Sequence, residues 1–325
     1  MRHSKKLLAA LLITVLSVVG CSTIPPLPEY GFVQVPGGRV AFRVIGKGTG
    51  IPVLVIHGGP GGTSCSYANT LNTLAESRPV VMYDQLGSGN SDVLTNLPRD
   101  AVLSRFVAEV AAVRAKLGLT EVHIVGHSWG ATVALEYLLT AKPAGVRSVS
   151  FVGPLISTPV WIEDTKALVK QLPAGTQDAI HKALASGNFK TPEFEAADEV
   201  FSQNFGERIA MTDEERKKRF PVCASTPKRF NKELYEHMWG PAEFISTGTL
   251  RNYDRVDRLR DLQLPTLFLV GEFDTARPET MLKFQTLVPS SVVKVIPNAG
   301  HSAPTDQTRA FNEALADFLA SVEKR

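Results

Sequence analysis

Glu121-Val122-His123-Ile124-Val125-Gly126-His127-Ser128-Trp129-Gly130 runs straight into Ala131-Thr132-Val133-Ala134-Leu135-Glu136-Tyr137-Leu138-Leu139. A strand-like run rich in β-branched residues ends in Gly-x-Ser-x-Gly, and an Ala/Leu-rich helical run starts at once. The pattern predicts a sharp strand-to-helix turn with Ser128 at its tip, a nucleophile elbow. Gly126 and Gly130 suit such a turn because a Cβ on either side of the serine would meet neighbouring backbone. The helix that follows turns its N-terminus toward Ser128, which places the N–H of Trp129 to stabilise an oxyanion. Gly-x-Ser-x-Gly by itself arises by chance in many chains, so its weight comes from the flanking strand and helix.

Upstream of the elbow, residues 30–35, a turn at Pro36-Gly37-Gly38 and residues 39–45 read as a β-hairpin. Residues 51–56 form a buried-strand run that empties into His57-Gly58-Gly59-Pro60-Gly61-Gly62. So many glycines leave backbone N–H groups unobstructed, and Gly58 or Gly59 is expected to supply the second oxyanion donor. A helix over 67–76 leads to a strand at 79–83 and then to Asp84-Gln85-Leu86-Gly87-Ser88-Gly89. Asp84 reads as a carboxylate capping this Gly-rich turn rather than as a catalytic acid. Helices over 101–117 and 129–141 and a strand over 146–152 continue a rhythm that implies right-handed crossovers and a mostly parallel sheet.

Past Gly153-Pro154 the chain becomes charged and helix-prone, and residues 156–247 read as a helical cap inserted between two parts of one α/β core, 30–155 and 248–325. The strand pattern returns over 264–270 and ends at Gly271-Glu272-Phe273-Asp274. A helix over 279–287, a last strand over 291–296, Asn298-Ala299-Gly300-His301 and an amphipathic helix over 305–322 complete the chain.

Ser128, Asp274 and His301 therefore follow one another at three strand ends, the chain order of the α/β-hydrolase fold. A serine hydroxyl is a weak nucleophile near neutral pH; His301 is expected to take its proton and return it to the leaving group, and Asp274 to hold the imidazole in the productive tautomer. Glu272 is the rival acid but falls closer to the strand. No cluster has metal-ligand spacing and no glycine motif follows a nucleotide-binding pattern, so neither metal nor cofactor is expected.

The composition of the 325 residues, 44% hydrophobic and 21% charged, is that of an ordinary globular protein with a sizeable core. Arg2, Lys5 and Lys6 account for the formal charge of +3, and no basic stripe interleaved with aromatics follows, which argues against a nucleic-acid partner. Residues 1–20 read as a secretory signal, with a basic start and an apolar run of 14 residues, 7–20, too short to span a bilayer comfortably. Val18-Val19-Gly20-Cys21 resembles the lipobox of bacterial lipoproteins, in which Cys21 is acylated after cleavage; an ordinary signal cut near Gly20 is the alternative. Residues 21–29, with Pro25, Pro26 and Pro28, would form an extended tether. The expected location is the periplasm or cell envelope, at the membrane through the lipid anchor. Cys65 and Cys223 are open to both a disulfide and a pair of buried thiols.

His57-Gly58-Gly59-Pro60-Gly61, Asp84-Gln85-x-Gly87-Ser88-Gly89, Gly126-x-Ser128-Trp129-Gly130, Gly271-x-Phe273-Asp274 and Gly300-His301 together resemble the proline iminopeptidase family of serine α/β-hydrolases. The likeness covers nearly everything after Tyr30 and extends into the cap, through Tyr235-Glu236-His237-Met238-Trp239-Gly240-Pro241-Ala242-Glu243-Phe244. It implies an aminopeptidase acting on a small peptide or amide, with Glu243 holding the substrate ammonium. Thr275 stands where the family usually has a second anchoring carboxylate, and a neutral hydroxyl attracts an ammonium far less. Thr275 supports an alternative, an esterase or amidase for small acyl compounds; a hydrolase-like binding protein without turnover is a third reading, opposed by the intact triad.

Overall fold

Val53–Ile56 (β3) and Val80–Tyr83 (β4) are four-residue strands with every residue buried, and strands of that kind belong inside a sheet covered on both faces. The computed structural model describes residues 27–94, 102–226 and 230–324; the leader and Cys21 lie outside them. β1 (Tyr30–Val35), β2 (Gly38–Ile45), β5 (Val122–His127), β6 (Val146–Val152), β7 (Thr266–Gly271) and β8 (Ser291–Ile296) complete one eight-stranded sheet in the order β1-β2-β4-β3-β5-β6-β7-β8. The β1/β2 and β2/β4 pairs are antiparallel and the rest parallel. Val35 pairs with Gly38, so the hairpin turn is Pro36-Gly37, one residue tighter than the sequence suggests.

Helices α1 (Tyr67–Thr70) and α2 (Asn72–Ala75) follow β3, while α3 (Val102–Lys116) and α4 (Trp129–Ala141) flank β5. Between β6 and β7 come α5 (Thr158–Val169), α6 (Ala174–Ser186), α7 (Pro192–Phe201), α8 (Asp213–Arg219), α9 (Pro221–Ala224) and α10 (Lys232–Met238). α11 (Pro278–Leu287) joins β7 to β8, and α12 (Ala303–Asp306) and α13 (Thr308–Glu323) end the chain. The helix expected over 67–76 breaks at Leu71, whose φ of −105° and ψ of 16° are not helical. The one expected over 305–322 starts earlier and breaks at Gln307. That break leaves the Asp306 carboxylate free to accept the N–H groups of Gly300, Arg208 and Ile209 at 2.9, 2.9 and 3.1 Å.

One face of the sheet is covered by Phe106, Val110 and Val113 of α3 with Trp129 and Val133 of α4. The other carries α13, whose Phe311, Leu315, Phe318, Leu319 and Val322 recur at helical spacing and are all buried. The inserted helices have a cluster of their own, containing Leu168, Ile180, Phe194, Phe201 and Phe244. Among the described residues no helix is long and apolar enough to cross a membrane.

α4 approaches the end of β3 closely: a Cβ on Gly130 would stand 2.1 Å from the Ile56 carbonyl oxygen and 2.7 Å from that of His57. Gly130→Ala is therefore expected to destabilise the protein by at least about 1–3 kcal/mol. Gly175, near the start of α6, faces open space, and Gly175→Ala should stabilise by about 0.4–1 kcal/mol through the unfolded chain. Urea unfolding midpoints of the two variants check the contrast; similar shifts for both would contradict it.

Candidate active site

β4, β3 and β5 are neighbours in the sheet, so the loops leaving their C-terminal ends meet. Ser128 leaves β5 with φ 56° and ψ −120°, a backbone state that a residue with a Cβ adopts only when its surroundings impose it. Its N–H donates to the Val152 carbonyl at 2.8 Å and its own carbonyl accepts from the Ala131 N–H at 3.0 Å. Trp129 is the first residue of α4, where the N–H has no intrahelical acceptor. Gly58 lies against Ser128, since a Cβ there would stand 3.0 Å from the serine Cβ. Gly58 and Gly59 both line the same cleft as Ser128.

His57 ties these loops together. The Gln85 N–H donates to His57 Nε2 at 2.9 Å, which makes Nδ1 the protonated nitrogen, and Nδ1–H donates to the Gly58 carbonyl at 2.8 Å. The Gln85 amide donates to the His57 carbonyl at 2.7 Å and accepts the Trp129 indole N–H at 2.8 Å. Burial pushes the His57 pKa down and so keeps the ring neutral. Asp84 accepts the N–H and hydroxyl of Ser64 and the N–H of Asn90, all at 2.9 Å. It binds the two Gly-rich loops and takes no place beside Ser128.

Asp274, buried at the end of β7, has Oδ1 2.7 Å from His301 Nδ1. Glu272 instead is exposed and accepts the Asn298 N–H at 2.9 Å. Burial opposes a charge on His301, but the Asp274 carboxylate, with Glu243 adding to it, outweighs burial and holds the pKa above the ordinary histidine value. The pair is closely walled: a Cβ on Gly153 would stand 2.7 Å from His301 Nδ1, and one on Gly300 2.5 Å from the Gly206 carbonyl oxygen. The His301 N–H donates to the Phe205 carbonyl at 2.8 Å, in a π-helical turn (Ser202–Gly206) of the inserted helices. From the other side, His127 Nε2–H donates to the His301 carbonyl at 2.9 Å, leaving His127 Nδ1 to accept the Tyr67 hydroxyl. Burial first, then the neighbouring His301, pushes His127 down to about 3, so it stays neutral.

Ser128, His301 and Glu243 line one cleft of about 510 Å³. Glu243 is held by its neighbours in the 235–244 signature. The Tyr235 hydroxyl donates to Glu243 Oε1 at 2.8 Å, and the Trp239 indole donates to the Ala242 carbonyl at 2.9 Å. Burial, reinforced by Glu243, pushes the Tyr235 phenol up, so it remains a donor. The Trp161 indole donates to the Glu243 carbonyl at 2.9 Å while its ring stands edge-on to His301, centroids 5.4 Å apart. Burial and the Glu243 carboxylate push Asp198, in α7, up to about 6. Thr275 is fully buried, its hydroxyl donating to Asp274 Oδ1 at 3.4 Å, and presents nothing to the cleft. Cys65 and Cys223 form a disulfide. No group of His, Cys, Asp or Glu among the described residues is arranged to hold a metal ion.

Of the residues quoted from sequence, Gly58, Gly59, Ser128, Glu243 and His301 line one cleft, while Asp274 is buried against His301 and Trp129 is buried next to Ser128; Cys21 lies outside the described residues. Sequence reading missed His127 and Tyr235, although both sit inside motifs it quoted. Tyr67, Trp161 and Asp198 carry no local signal, because their partners are distant in the chain.

The α/β hydrolase fold family matches residues 51–307. A proline iminopeptidase of Heyndrickxia coagulans is 40% identical over 297 residues, covering 90% of this chain and 99% of the relative. One from Lactobacillus delbrueckii subsp. lactis is 34% identical over 285 residues, covering 86% and 94%. The crystal structure of the Mycobacterium smegmatis proline iminopeptidase superposes with a TM-score of 0.79 at 30% identity, covering 90% of this chain and 98% of that one. The chain is a hydrolase and belongs to the proline iminopeptidase family of the α/β-hydrolase fold.

Proposed function

We propose that the protein is a serine aminopeptidase that releases the N-terminal residue of short peptides or amides through an acyl-enzyme on Ser128. The observation that carries the substrate class is the Glu243 carboxylate, held by Tyr235 in the same cleft as Ser128 and His301; the names of the relatives agree with it. Asp274 is acceptor-only when ionised, so His301 Nδ1 carries the proton and Nε2 is left as the base. Nε2 takes the Ser128 proton as Oγ attacks the substrate carbonyl, and the oxyanion meets the N–H of Trp129 and that of Gly58 or Gly59. The same proton passes from His301 to the departing amine, the scissile C–N bond breaks, and water repeats the sequence to free the acid.

An ammonium beside Glu243 gains a charge-assisted hydrogen bond of about 1.5–3 kcal/mol. Glu243→Gln should lower kcat/KM for an aminoacyl arylamide by about tenfold to a hundredfold and leave its N-acetyl counterpart nearly untouched. An unchanged ratio between the two substrates would favour an esterase or amidase. The sign of the pH dependence follows from His301. A base must be neutral, and Asp274 and Glu243 hold its pKa up, so the acid limb of kcat/KM is shifted upward from where an ordinary histidine would put it. Asp274→Asn should lower the rate severely and move that limb to lower pH, and Glu243→Gln should move it the same way by less; a limb that stays in place in both variants contradicts the account.

For location we propose a mature lipoprotein acylated at Cys21 and held at the membrane in the cell envelope. The lipobox-like Val18-Val19-Gly20-Cys21 supports it, as does the Cys65–Cys223 disulfide, since such bonds persist in oxidising compartments. Cys21→Ser should abolish acylation and membrane retention; intact-mass measurement that finds a mature wild-type Cys21 without acyl mass would contradict the proposal.

A further inference from the structure

The Cys65–Cys223 disulfide joins two walls of the active-site cleft. Cys65 lies just past the glycine loop that begins at His57, and Cys223 lies in α9, 158 residues further along. Both line the cleft that Ser128 and His301 line. No residue of α9 is fully buried; its apolar anchoring comes from Val222, half-buried against the core, and from Phe220 just before it, which is buried. Its polar anchors lie to either side: Arg219 donates to the Thr305 carbonyl and to Thr308 Oγ1, and the Asn231 N–H donates to the Gly61 carbonyl at 2.8 Å. The cross-link thus fixes α9, itself without a fully buried residue, to a loop that approaches the nucleophile. The hydrogen bonds that hold Asp274, His301 and the backbone of Ser128 do not involve α9.

We propose that this disulfide is a redox-sensitive, specificity-determining cross-link: oxidised, it keeps the cleft narrow around short substrates; reduced, it lets α9 move out and longer chains enter. The inference deepens the aminopeptidase reading and rests on it for the identity of those chains. Reduction needs a dithiol. The reagent supplies two electrons and two protons, the S–S bond breaks, Cys65 and Cys223 become thiols, and the dithiol closes to its own disulfide. Cys65 is buried at 7% exposure, whereas Cys223 is only half-buried in α9, so the reagent attacks at Cys223 Sγ and Cys65 leaves as the thiol.

The test uses the full protein, oxidised or treated with dithiothreitol, with free thiols counted and the fold checked by circular dichroism. The Cys65→Ala/Cys223→Ala variant serves as a second source of the uncross-linked form. Ser128 labelling is timed with a compact and with a bulky fluorophosphonate, a readout that needs no peptidase activity and so fails separately from the substrate reading. The compact probe should label both forms at rates within about twofold, and the bulky probe should label the uncross-linked forms at least about fivefold faster. With peptides, kcat/KM for a free-amine hexapeptide should rise against that for an aminoacyl arylamide. A bulky-to-compact ratio that does not move in the folded, reduced protein, or a parallel loss with both probes, would overturn the proposal.

Discussion

The site depends on how tightly α4 is pressed against the ends of β3 and β5. A Cβ on Gly126 would stand 2.5 Å from the Gly130 carbonyl oxygen, so backbone packs on backbone at both glycines of the elbow. That contact holds Ser128 at a positive φ. The strain is local, but the hydrogen bonds of Ser128 to Val152, Ala131 and Leu155 spread its support over β6, α4 and the start of the inserted segment. With the serine set in this way, the Trp129 N–H and the glycine loop after β3 meet at its side without any side chain to arrange. Trp129 then does a second job through its indole, which reaches Gln85 and through it His57.

The rest of the site divides by layer. The sheet positions Ser128 after β5 and Asp274 after β7, with His301 beyond β8. The inserted helices supply a negative charge, Glu243, in a position set by Tyr235, Trp161 and Trp239. The two layers are not independent. The π-helical turn before α8 holds the backbone of His301, Trp161 stands on its ring, and Glu243 adds to the field that favours its protonated form. The geometry and the basicity of His301 therefore both draw on the inserted helices as well as on the sheet.

Much of this was legible in the sequence because it is written locally. A strand, a glycine turn and a helix in succession leave a period-2 run, a break and a period-3.6 run, which is why the elbow, the order Ser128, Asp274, His301 and the mostly parallel sheet could be read directly. Gly300 and Gly153 are less legible, since each is glycine on account of backbone or side chains that arrive from elsewhere: Phe205 and Gly206 for one, His301 and Asp274 for the other. The same holds for Tyr67, paired with His127 across sixty residues of chain, and for the Cys65–Cys223 bond. Thr275 marks a different limit. Its identity shows that a carboxylate is missing, but only its full burial beside Asp274 shows that the position does not face the cleft.

In the proposed mechanism Ser128 carries the acyl group of the substrate. The most direct test is rapid-quench intact mass spectrometry during turnover of an aminoacyl nitrophenyl ester, whose fast acylation lets the intermediate accumulate. An added aminoacyl mass is expected on the peptide containing Ser128, decaying as product forms and absent from Ser128→Ala. Steady turnover with no adduct, an adduct on another residue, or undiminished turnover by Ser128→Ala would contradict it.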